Sequence, residues 1–170
     1  MTVTAQRIET ARLDLVPLRV DHADEMAAVL SDPALHAFTG GAPDTARDLR
    51  ARYERLSTGS PDPAVSWLNW VILLRDEGCL TGTVQATIGP CALGARAEIA
   101  WVVGTPWQHR GIAGEAARGL VTWLGGQPVE ELVAHIHPEH HASAGVAATC
   151  GLTPTDEWQD GERRWLRRVG

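Results

Sequence analysis

A strand, a glycine-bearing turn, an amphipathic helix and a second strand follow one another over residues 95–137, and this order constrains the fold most. Residues 95–104 are strand-like, the turn contains Gly104 and Gly111, and residues 131–137 are again strand-like. The apolar residues that share one face of a helix over 112–125 are Ala113, Ala116, Ala117, Leu120, Val121 and Leu124. Because a helix that connects two strands in this way joins parallel neighbours, the sheet has to contain a parallel pair.

The rest of the chain predicts an antiparallel meander beside that crossover. We expect a strand at 11–19, helices at 22–30 and 45–56, strands at 66–75 and 80–88, a helix at 139–149 and a final hairpin that includes 158–168. Asp21 is the expected N-cap of the first helix, and Asp44 or Thr45 that of the second. The prediction is an α+β fold with a single mixed, mostly antiparallel sheet flanked by helices, in which residues 1–170 form one domain.

Charge and cysteine content exclude several classes of protein. The chain has 170 residues and a formal net charge of −6, and arginine supplies all 15 of its basic side chains. Nucleic-acid-binding proteins normally have a basic face, so we expect no nucleic-acid partner. The N-terminus has no apolar signal segment and no apolar run is long enough to cross a membrane, so we expect no membrane association. With three cysteines and no Cys-x-x-Cys pair, we expect no disulfide framework and a cytoplasmic protein.

The turn before the helix at 112–125 is a candidate anion site. The first N–H groups of a helix have no partner within the helix, and the helix dipole is positive there. Glycine allows a ligand to approach the main chain closely, so a pyrophosphate group suits such a turn. The segment contains no Gly-x-Gly-x-x-Gly, and a chain without lysine cannot supply the lysine of a P-loop. These residues by themselves leave a phosphate site and an ordinary loop as alternatives.

This turn and the segments around it also resemble one family. Gln108-x-x-Gly111-x-Ala113 is similar to the Gln/Arg-x-x-Gly-x-Gly/Ala motif of the GNAT superfamily, the acetyl-CoA-dependent N-acetyltransferases. The other similar segments are Thr-Ala-Arg-Leu-Asp-Leu-Val-Pro-Leu at 10–18, Leu-Thr-Gly-Thr-Val at 80–84, Glu-Ile-Ala-Trp-Val-Val at 98–103, His-Pro-Glu-His-His-Ala-Ser at 137–143 and Cys-Gly-Leu at 150–152. The resemblance covers about residues 8–155 and is strongest to the ribosomal-protein-alanine/serine acetyltransferase-like branch.

The resemblance implies acetyl-CoA as the cosubstrate and assigns its contacts by position. The implied cofactor-binding residues are Trp101, Val102, Val103, Gln108, His109, Arg110, Gly111, Ile112, Ala113, Gly114, His140 and Ser143. Backbone groups of Val102 and Val103 are expected to pair with the pantetheine arm, and main-chain amides over 108–114 to hold the pyrophosphate. The strands are expected to splay after Val103 and to admit the thioester there.

The resemblance further implies direct attack of an amine on the thioester, with Glu98 and Ser143 as the catalytic residues. Glu98 matches a strand carboxylate that serves many relatives as the base, and a surface or pairing glutamate is the alternative. Many relatives protonate the leaving thiolate with a tyrosine at the position of Ala147, but the only tyrosine here is Tyr53. The candidates to replace it are Ser143, His140, Cys150 and a water molecule, unless the thiol leaves without a dedicated acid.

Histidine, tryptophan and arginine clusters each allow more than one interpretation. The sequence contains histidines at 135, 137, 140 and 141. They are interpreted either as strand and helix-cap residues, or as a proton carrier or cofactor contact, or as zinc ligands. A zinc site needs three or four ligands in tetrahedral geometry. We predict no metal ion. Trp67, Trp70 and Trp107 either pack in the core or line an acceptor pocket. The arginines on the helix at 45–56 form a solvated face or one that meets an anion or a partner.

The predicted function is transfer of an acetyl group from acetyl-CoA to a primary amine of a small molecule or of a peptide N-terminus. One alternative is a degenerate GNAT module that binds acyl-CoA as a sensor, which the missing tyrosine favours and Glu98 opposes. Another is an antibiotic- or metabolite-modifying acetyltransferase, which an acidic acceptor cleft would indicate. Residues 31–45, 58–70 and the last hairpin are expected to select the acceptor, and a homodimer is one expected assembly.

Overall fold

Eight strands form one sheet in the computed structural model, which describes residues 2–169. The strands are β1 (Ile8–Glu9), β2 (Leu13–Pro17), β3 (Ser66–Leu74), β4 (Cys79–Cys91), β5 (Gly94–Val103), β6 (Glu131–Ile136), β7 (Thr153–Gln159) and β8 (Glu162–Arg168). Their order across the sheet is β1-β2-β3-β4-β5-β6-β8-β7. Among these strands, β5 and β6 make the one parallel pair, as the strand–helix–strand order requires.

The described residues also form four α-helices. These are α1 (Ala23–Val29), α2 (Ala46–Thr58), α3 (Ile112–Leu124) and α4 (His141–Thr149). At the start of α2, the Thr45 hydroxyl accepts a hydrogen bond from the amide of Asp48, which makes Thr45 the N-cap. Of the helices in residues 2–169, none has the length and apolar character that crossing a membrane requires.

Apolar side chains on the two faces of the sheet make two cores. On one face, α3 buries Leu120 and Leu124 against the strands. On the other face, α1 and α2 bury Met26 and Leu49 against Val71 of β3. Burying one such side chain contributes about 1.5–3 kcal/mol, so the apolar stripes of the helices fix them against the sheet.

The predicted fold class, α+β with a mixed and mostly antiparallel sheet flanked by helices, is confirmed. Some boundaries differ. Strand β1 was not predicted, because two residues are too few to show an alternating pattern. The N-cap of α1 is His22 rather than Asp21, since a 3₁₀ turn over Val20–His22 precedes the helix. Helix α4 begins at His141, later than the expected residue 139.

Candidate active site

The sheet opens between β5 and β6. Their parallel pairing runs from Arg96 with Glu131 to Glu98 with Val133 and ends there. From Ile99 onwards, β5 therefore has an edge without a strand partner among the described residues, and the splay begins at Glu98 rather than after Val103. The resemblance placed the separation of the strands next to the turn before α3, whereas the pairing of β5 with β6 ends five residues before Val103. Free N–H and C=O groups on a strand edge can bind an extended chain.

A cavity of about 360 Å³ lies between the end of β5, the turn before α3 and the start of α4. The residues of the predicted cofactor site that line it are Trp101, Val102, Val103, Gln108, His109, Gly111, Ile112, Ala113, Gly114, His140 and Ser143. Leu35 and Phe38, which follow α1, also line the cavity. Residues that are distant in sequence thus surround one space at the opening of the sheet. We refer to it as the cofactor cavity.

The turn before α3 is held in a defined backbone conformation. Its last residue, Gly111, is the N-cap of α3 with φ of 78°, a left-handed conformation that costs other residues about 1–2 kcal/mol. Gln108 Nε2 donates to the carbonyl oxygen of Val103 at 3.0 Å, and Arg12 Nη1 donates to that of Arg110 at 2.9 Å. The free N–H groups of the first helical turn are therefore fixed at the edge of the cofactor cavity.

The side chain of Arg110 points away from the cofactor cavity. Its guanidinium pairs with the carboxylate of Glu77, in the turn between β3 and β4. The hydrogen bond from Arg110 lowers the pKa of Glu77. Arg110 is thus the one residue of the predicted cofactor site that does not line the cofactor cavity, and the turn uses its carbonyl group instead.

His140 and Ser143 form a hydrogen-bonded pair at the start of α4. Ser143 Oγ lies 3.2 Å from His140 Nε2, and the imidazole stacks on Phe38 with ring centroids 4.5 Å apart. Desolvation, assisted by the charge of His137, lowers the pKa of His140. Both effects favour the neutral imidazole, whose Nε2 either donates to or accepts from the serine hydroxyl.

A second cavity of about 320 Å³ adjoins the first on the side of β6 and β8. Glu98 lines it, and its Oε1 lies 2.6 Å from His135 Nδ1. Glu162 of β8 lines the same cavity, and desolvation raises the pKa of its carboxyl group. The predicted base therefore faces a space that contains a second carboxylate. We refer to it as the acceptor cavity.

A third cavity of about 550 Å³ lies between α2 and the sheet. Tyr53 of α2 lines it, together with Asn69 and Gln85, which are cross-strand partners on β3 and β4. Burial raises the pKa of Tyr53 to about 12. The hydroxyl of the chain's one tyrosine, on α2, is therefore neutral. Trp101 and His140 line all three cavities, which therefore meet at these two side chains.

The three tryptophans that were candidates for an acceptor pocket lie in three different environments. Trp70 is fully buried in the core, where its indole N–H donates to the carbonyl oxygen of Gln6 at 2.7 Å. Trp107 lines the cofactor cavity. Trp67 lines a separate cavity beside the N-terminal segment. The acceptor interpretation is therefore wrong for Trp70, because the sheet register turns this side chain into the core.

The structure removes one candidate residue from the site and adds two. Cys150 packs in the apolar core, where burial raises the pKa of its thiol. The interpretation of Cys150 as the proton donor to the leaving thiolate is therefore wrong. Glu162 and Phe38 line the site but were not predicted. Neither lies in a recognisable motif, and each joins the site only through contacts between distant segments.

The chain matches the family model described as acetyltransferase (GNAT) domain over residues 12–153. The chain belongs to the GNAT acetyltransferase family. The matched range includes the splayed strands, the turn before α3 and the His140–Ser143 pair of this GNAT domain. No curated protein matches the chain in sequence.

Solved structures share the fold of this GNAT domain at low sequence identity. RimL, the ribosomal L7/L12 alpha-N-protein acetyltransferase in complex with coenzyme A, is 16% identical with a TM-score of 0.77, covering 96% of this chain and 98% of that one. The acetyl transferase from Salmonella typhimurium that modifies the N-terminal serine of ribosomal protein L7/L12 is 15% identical with a TM-score of 0.78, covering 97% and 100%. The microcin C7 self-immunity acetyltransferase MccE is 16% identical with a TM-score of 0.75, covering 94% of each chain. At these identities the likeness shows the fold.

Proposed function

We propose that this GNAT domain transfers the acetyl group of acetyl-CoA to a primary amine of a small molecule or of a peptide N-terminus, by direct attack. The observation that supports this most is that three cavities meet at Trp101 and His140. One cavity is lined by the residues assigned to the cofactor, and the next contains Glu98. An amine entering from the acceptor cavity would meet the thioester beside a carboxylate.

The residues at the turn fit acetyl-CoA, which supplies an activated thioester when bound. Free N–H groups at the start of α3 suit its phosphates. Beyond Glu98, the edge of β5 that has no strand partner within residues 2–169 suits the amide groups of the pantetheine arm. Leu35, Phe38 and Val146 provide an apolar wall that excludes water around that arm.

The protonation state of the amine decides how much a base contributes. At pH 7, a lysine-type amine is neutral in about 1 molecule in 2,500, a cost of about 4.6 kcal/mol, whereas an α-amino group costs about 1–1.4 kcal/mol. A positioned general base accelerates a reaction about 10²–10⁴-fold. We assign this role to Glu98, directly or through water, because its carboxylate faces the acceptor cavity.

We assign protonation of the leaving thiolate to Ser143. This serine lines both the cofactor cavity and the acceptor cavity, and it is hydrogen-bonded to His140. When His140 carries its proton on Nε2 and donates a hydrogen bond to Ser143 Oγ, the serine hydroxyl points its own proton at sulfur. The serine passes that proton to the thiolate and recovers one from water, while the base takes the proton that the amine loses. The pair would replace the tyrosine of many relatives, whose position is taken by the buried Ala147.

The names of the relatives indicate which acceptors to test first. Two of them act on ribosomal protein L7/L12, and one provides self-immunity to microcin C7. A peptide with a free N-terminal amine is the first candidate acceptor. A cationic small molecule is the second, because Glu98 and Glu162 in the acceptor cavity would attract a positive charge.

A thiol-release assay over a panel of amines tests the proposal. The panel contains peptides with N-terminal serine or alanine, lysine-type amines and aminoglycosides, each with acetyl-CoA. We expect release of coenzyme A with at least one class. Binding of acetyl-CoA without thiol release on any of these amines would contradict transfer and favour the acyl-CoA sensor.

Replacing Glu98 by glutamine is expected to lower kcat according to the acceptor's own pKa. We expect a loss of about 10²-fold or more for a lysine-type amine and about tenfold for an α-amine, since the former depends more on a base. The loss should grow as pH falls, because more of the amine is protonated. Glu162→Gln is the matched control, since this carboxylate lines the same cavity. A larger loss for Glu162→Gln would assign the base to Glu162 instead.

We also propose that residues 1–170 act as one domain in the cytoplasm. Cys79, Cys91 and Cys150 are all free thiols, which is typical of proteins in a reducing compartment. A homodimer remains the expected assembly to test, by light scattering of the purified chain at increasing concentration.

A further inference from the structure

A chain of hydrogen bonds begins in the wall of the acceptor cavity and crosses the sheet. His135 Nδ1 of β6 lies 2.6 Å from Glu98 Oε1 of β5, and Arg164 Nε of β8 lies 3.1 Å from His135 Nε2. The guanidinium of Arg164 also donates to Glu157 Oε2 of β7 at 2.6 Å. Four side chains from four strands are therefore connected in one line that ends at the candidate base.

The side chains along this line differ in how exposed they are. The Glu98 side chain is 46% exposed and lines the acceptor cavity, whereas His135 is 7% exposed and Arg164 is 20% exposed. Glu157, at the other end of the line, is 67% exposed, so both carboxylates are accessible, and Glu98 is the one that lines the acceptor cavity. His135 lines the same cavity from a buried position and supports Glu98 there. Glu162 and His137 line the same cavity, but neither is hydrogen-bonded to Glu98 in the described part of the chain.

Arg164 determines where the proton of His135 is. A guanidinium only donates hydrogen bonds, so His135 Nε2 has to accept from it. The proton of the neutral imidazole is therefore on Nδ1, from which it is donated to Glu98. Because His135 uses Oε1, the second carboxylate oxygen of Glu98 is the one left for an amine or a water.

The sheet register brings these residues together. His135 and Arg164 are direct cross-strand partners on β6 and β8. Glu98 pairs with Val133 in the last parallel pair before the splay, and His135 follows two residues later on the same face of β6. The hydrogen bond between His135 and Glu98 therefore bridges the strands at the point where they separate.

We propose that His135 and Arg164 are positioning residues for the acetyl transfer. Arg164 keeps the proton of His135 on Nδ1, and His135 holds the carboxylate of Glu98 with one oxygen facing the amine. This inference rests on the proposed function, which gives Glu98 the role of base. His135 lines the acceptor cavity beside Glu98, where its assigned role is to orient that carboxylate, and Arg164 acts through His135.

A double-mutant cycle with Glu98 tests the kinetic role, using acetyl-CoA and the amines of the thiol-release panel. We expect His135→Leu to lower kcat about 10–100-fold, because misplacing a reacting group by about 1 Å costs that much, and to leave KM for acetyl-CoA unchanged. His135→Asn, whose side-chain amide can donate from the position of Nδ1, should restore most of the rate. In the Glu98→Gln background, His135→Leu should cause no further loss. An equal loss in both backgrounds would overturn the proposal.

Arginine variants on β8 provide a matched pair. Arg164→Met should lower kcat as His135→Leu does. Arg163→Met, at the preceding position of the same strand, should leave kcat within about twofold. Arg163 Nε donates to the carbonyl oxygen of Thr155, and its guanidinium lies over the ring of Trp158, away from Glu98. Equal losses for the two arginine variants would point to a general effect on β8 and overturn the assignment of Arg164.

The proton position can be measured without any acceptor. Long-range proton–nitrogen NMR correlation on the full chain separates the two imidazole tautomers, and the signal absent from His135→Asn identifies His135. We expect Nδ1–H in the unaltered chain and a shift towards Nε2–H in Arg164→Met. An Nε2–H imidazole in the unaltered chain would overturn the proposal whatever the activity. The expected tautomer in a chain that acetylates none of the amines would instead contradict the proposed function.

Discussion

Glu115, in the first turn of α3, connects that helix to the N-terminal part of the chain. Its carboxylate accepts hydrogen bonds from the hydroxyl of Thr10, from the amide of Arg12 at 2.8 Å and from Arg12 Nε at 2.7 Å. Arg12 in turn donates to the carbonyl of Arg110 in the turn before α3. A negative charge near a helix N-terminus is favourable, so Glu115 stabilises both the helix and the segment that supports the turn.

Replacing Glu115 by glutamine is expected to destabilise the chain in a pH-dependent way. Burial opposes ionisation, but hydrogen bonds from Thr10 and Arg12 outweigh it and lower the pKa of Glu115 below the ordinary 4.5. A lowered pKa stabilises the folded chain above pH 4.5, and this contribution is lost as pH falls further. At pH 7 we expect a loss of about 1–3 kcal/mol, since the amide places a donor against Arg12.

Thermal unfolding of the two chains at pH 7 and near pH 3.5 measures this effect. The difference in Tm should shrink at the lower pH. Glu54→Gln, an exposed position of α2 with no ion pair among the described residues, is the control and should change little. A Tm difference between Glu115→Gln and the unaltered chain that is equal at both pH values would contradict the linkage.

Replacing Ser143 by alanine tests the proton donor to the leaving thiolate. We expect kcat to fall about 10²-fold, within the range of general acid catalysis, with acetyl-CoA affinity almost unchanged. His141→Ala, an exposed neighbour on α4, is the control. An unchanged kcat in Ser143→Ala would mean that the thiol leaves without help from this serine.

At the scale of elements, the turn before α3 is the part most sensitive to a side chain. Gly111 has a positive φ and lines the cofactor cavity, so a residue there is strained, and its Cβ would lie 3.4 Å from the guanidinium of Arg12. Further along the sheet, Gly82 has a related role in β4, because a Cβ at this position would collide with the carbonyl oxygen of Val102. Gly82 thus permits the close approach of β4 and β5, whereas Gly111 permits the left-handed backbone of the turn before α3.

Gly111→Trp is expected to abolish acetyl-CoA binding. At a ligand concentration of 100 times Kd, binding stabilises a protein by about 2.7 kcal/mol, which raises the Tm of a chain of this size by about 5–10 °C. We expect this shift in the unaltered chain and in Gly126→Trp, the same substitution after the other end of α3, but not in Gly111→Trp. A full acetyl-CoA shift in Gly111→Trp would contradict the assignment of the cofactor cavity.

At the scale of the whole molecule, the two cores are joined by the sheet that they share. Leu120 packs on one face and Met26 on the other, and the strands between them contribute side chains to both. Neither core can open without exposing the sheet surface that supports the second one. The described residues are therefore expected to unfold as one cooperative unit.

Leu120→Ala and Met26→Ala test this cooperativity. Each should lower the free energy of unfolding by about 2–5 kcal/mol, and each should shift backbone circular dichroism and tryptophan fluorescence together. Trp70 and Trp123, whose ring centroids lie 5.4 Å apart, are two of the seven tryptophans and pack on the α3 face, so fluorescence includes a signal from that face. A Met26→Ala transition seen by circular dichroism but not by fluorescence would divide the chain into two units.

Local patterns predicted the elements that surround the site, and the resemblance to the GNAT family predicted its residues. The crossover helix α3, the turn before it and the cluster at the start of α4 are all contiguous segments, so their periodicity and glycine positions are visible in the sequence. Eleven of the twelve residues predicted for the cofactor line one cavity. Arg110 is the exception, because its guanidinium responds to Glu77 in a distant turn that no local pattern includes.

The sequence by itself determined most of the elements and the glycine-bearing turn at the start of α3, since helix periodicity, a left-handed glycine and free N-terminal amides are properties of neighbouring residues. Only the tertiary structure decided that β5 and β6 separate at Glu98, that Phe38 stacks on His140, and that Glu162 enters the acceptor cavity. It also decided the line from Arg164 through His135 to Glu98. These contacts depend on strand register and on where pairing ends, which the packing of the whole sheet sets rather than any local stretch of residues.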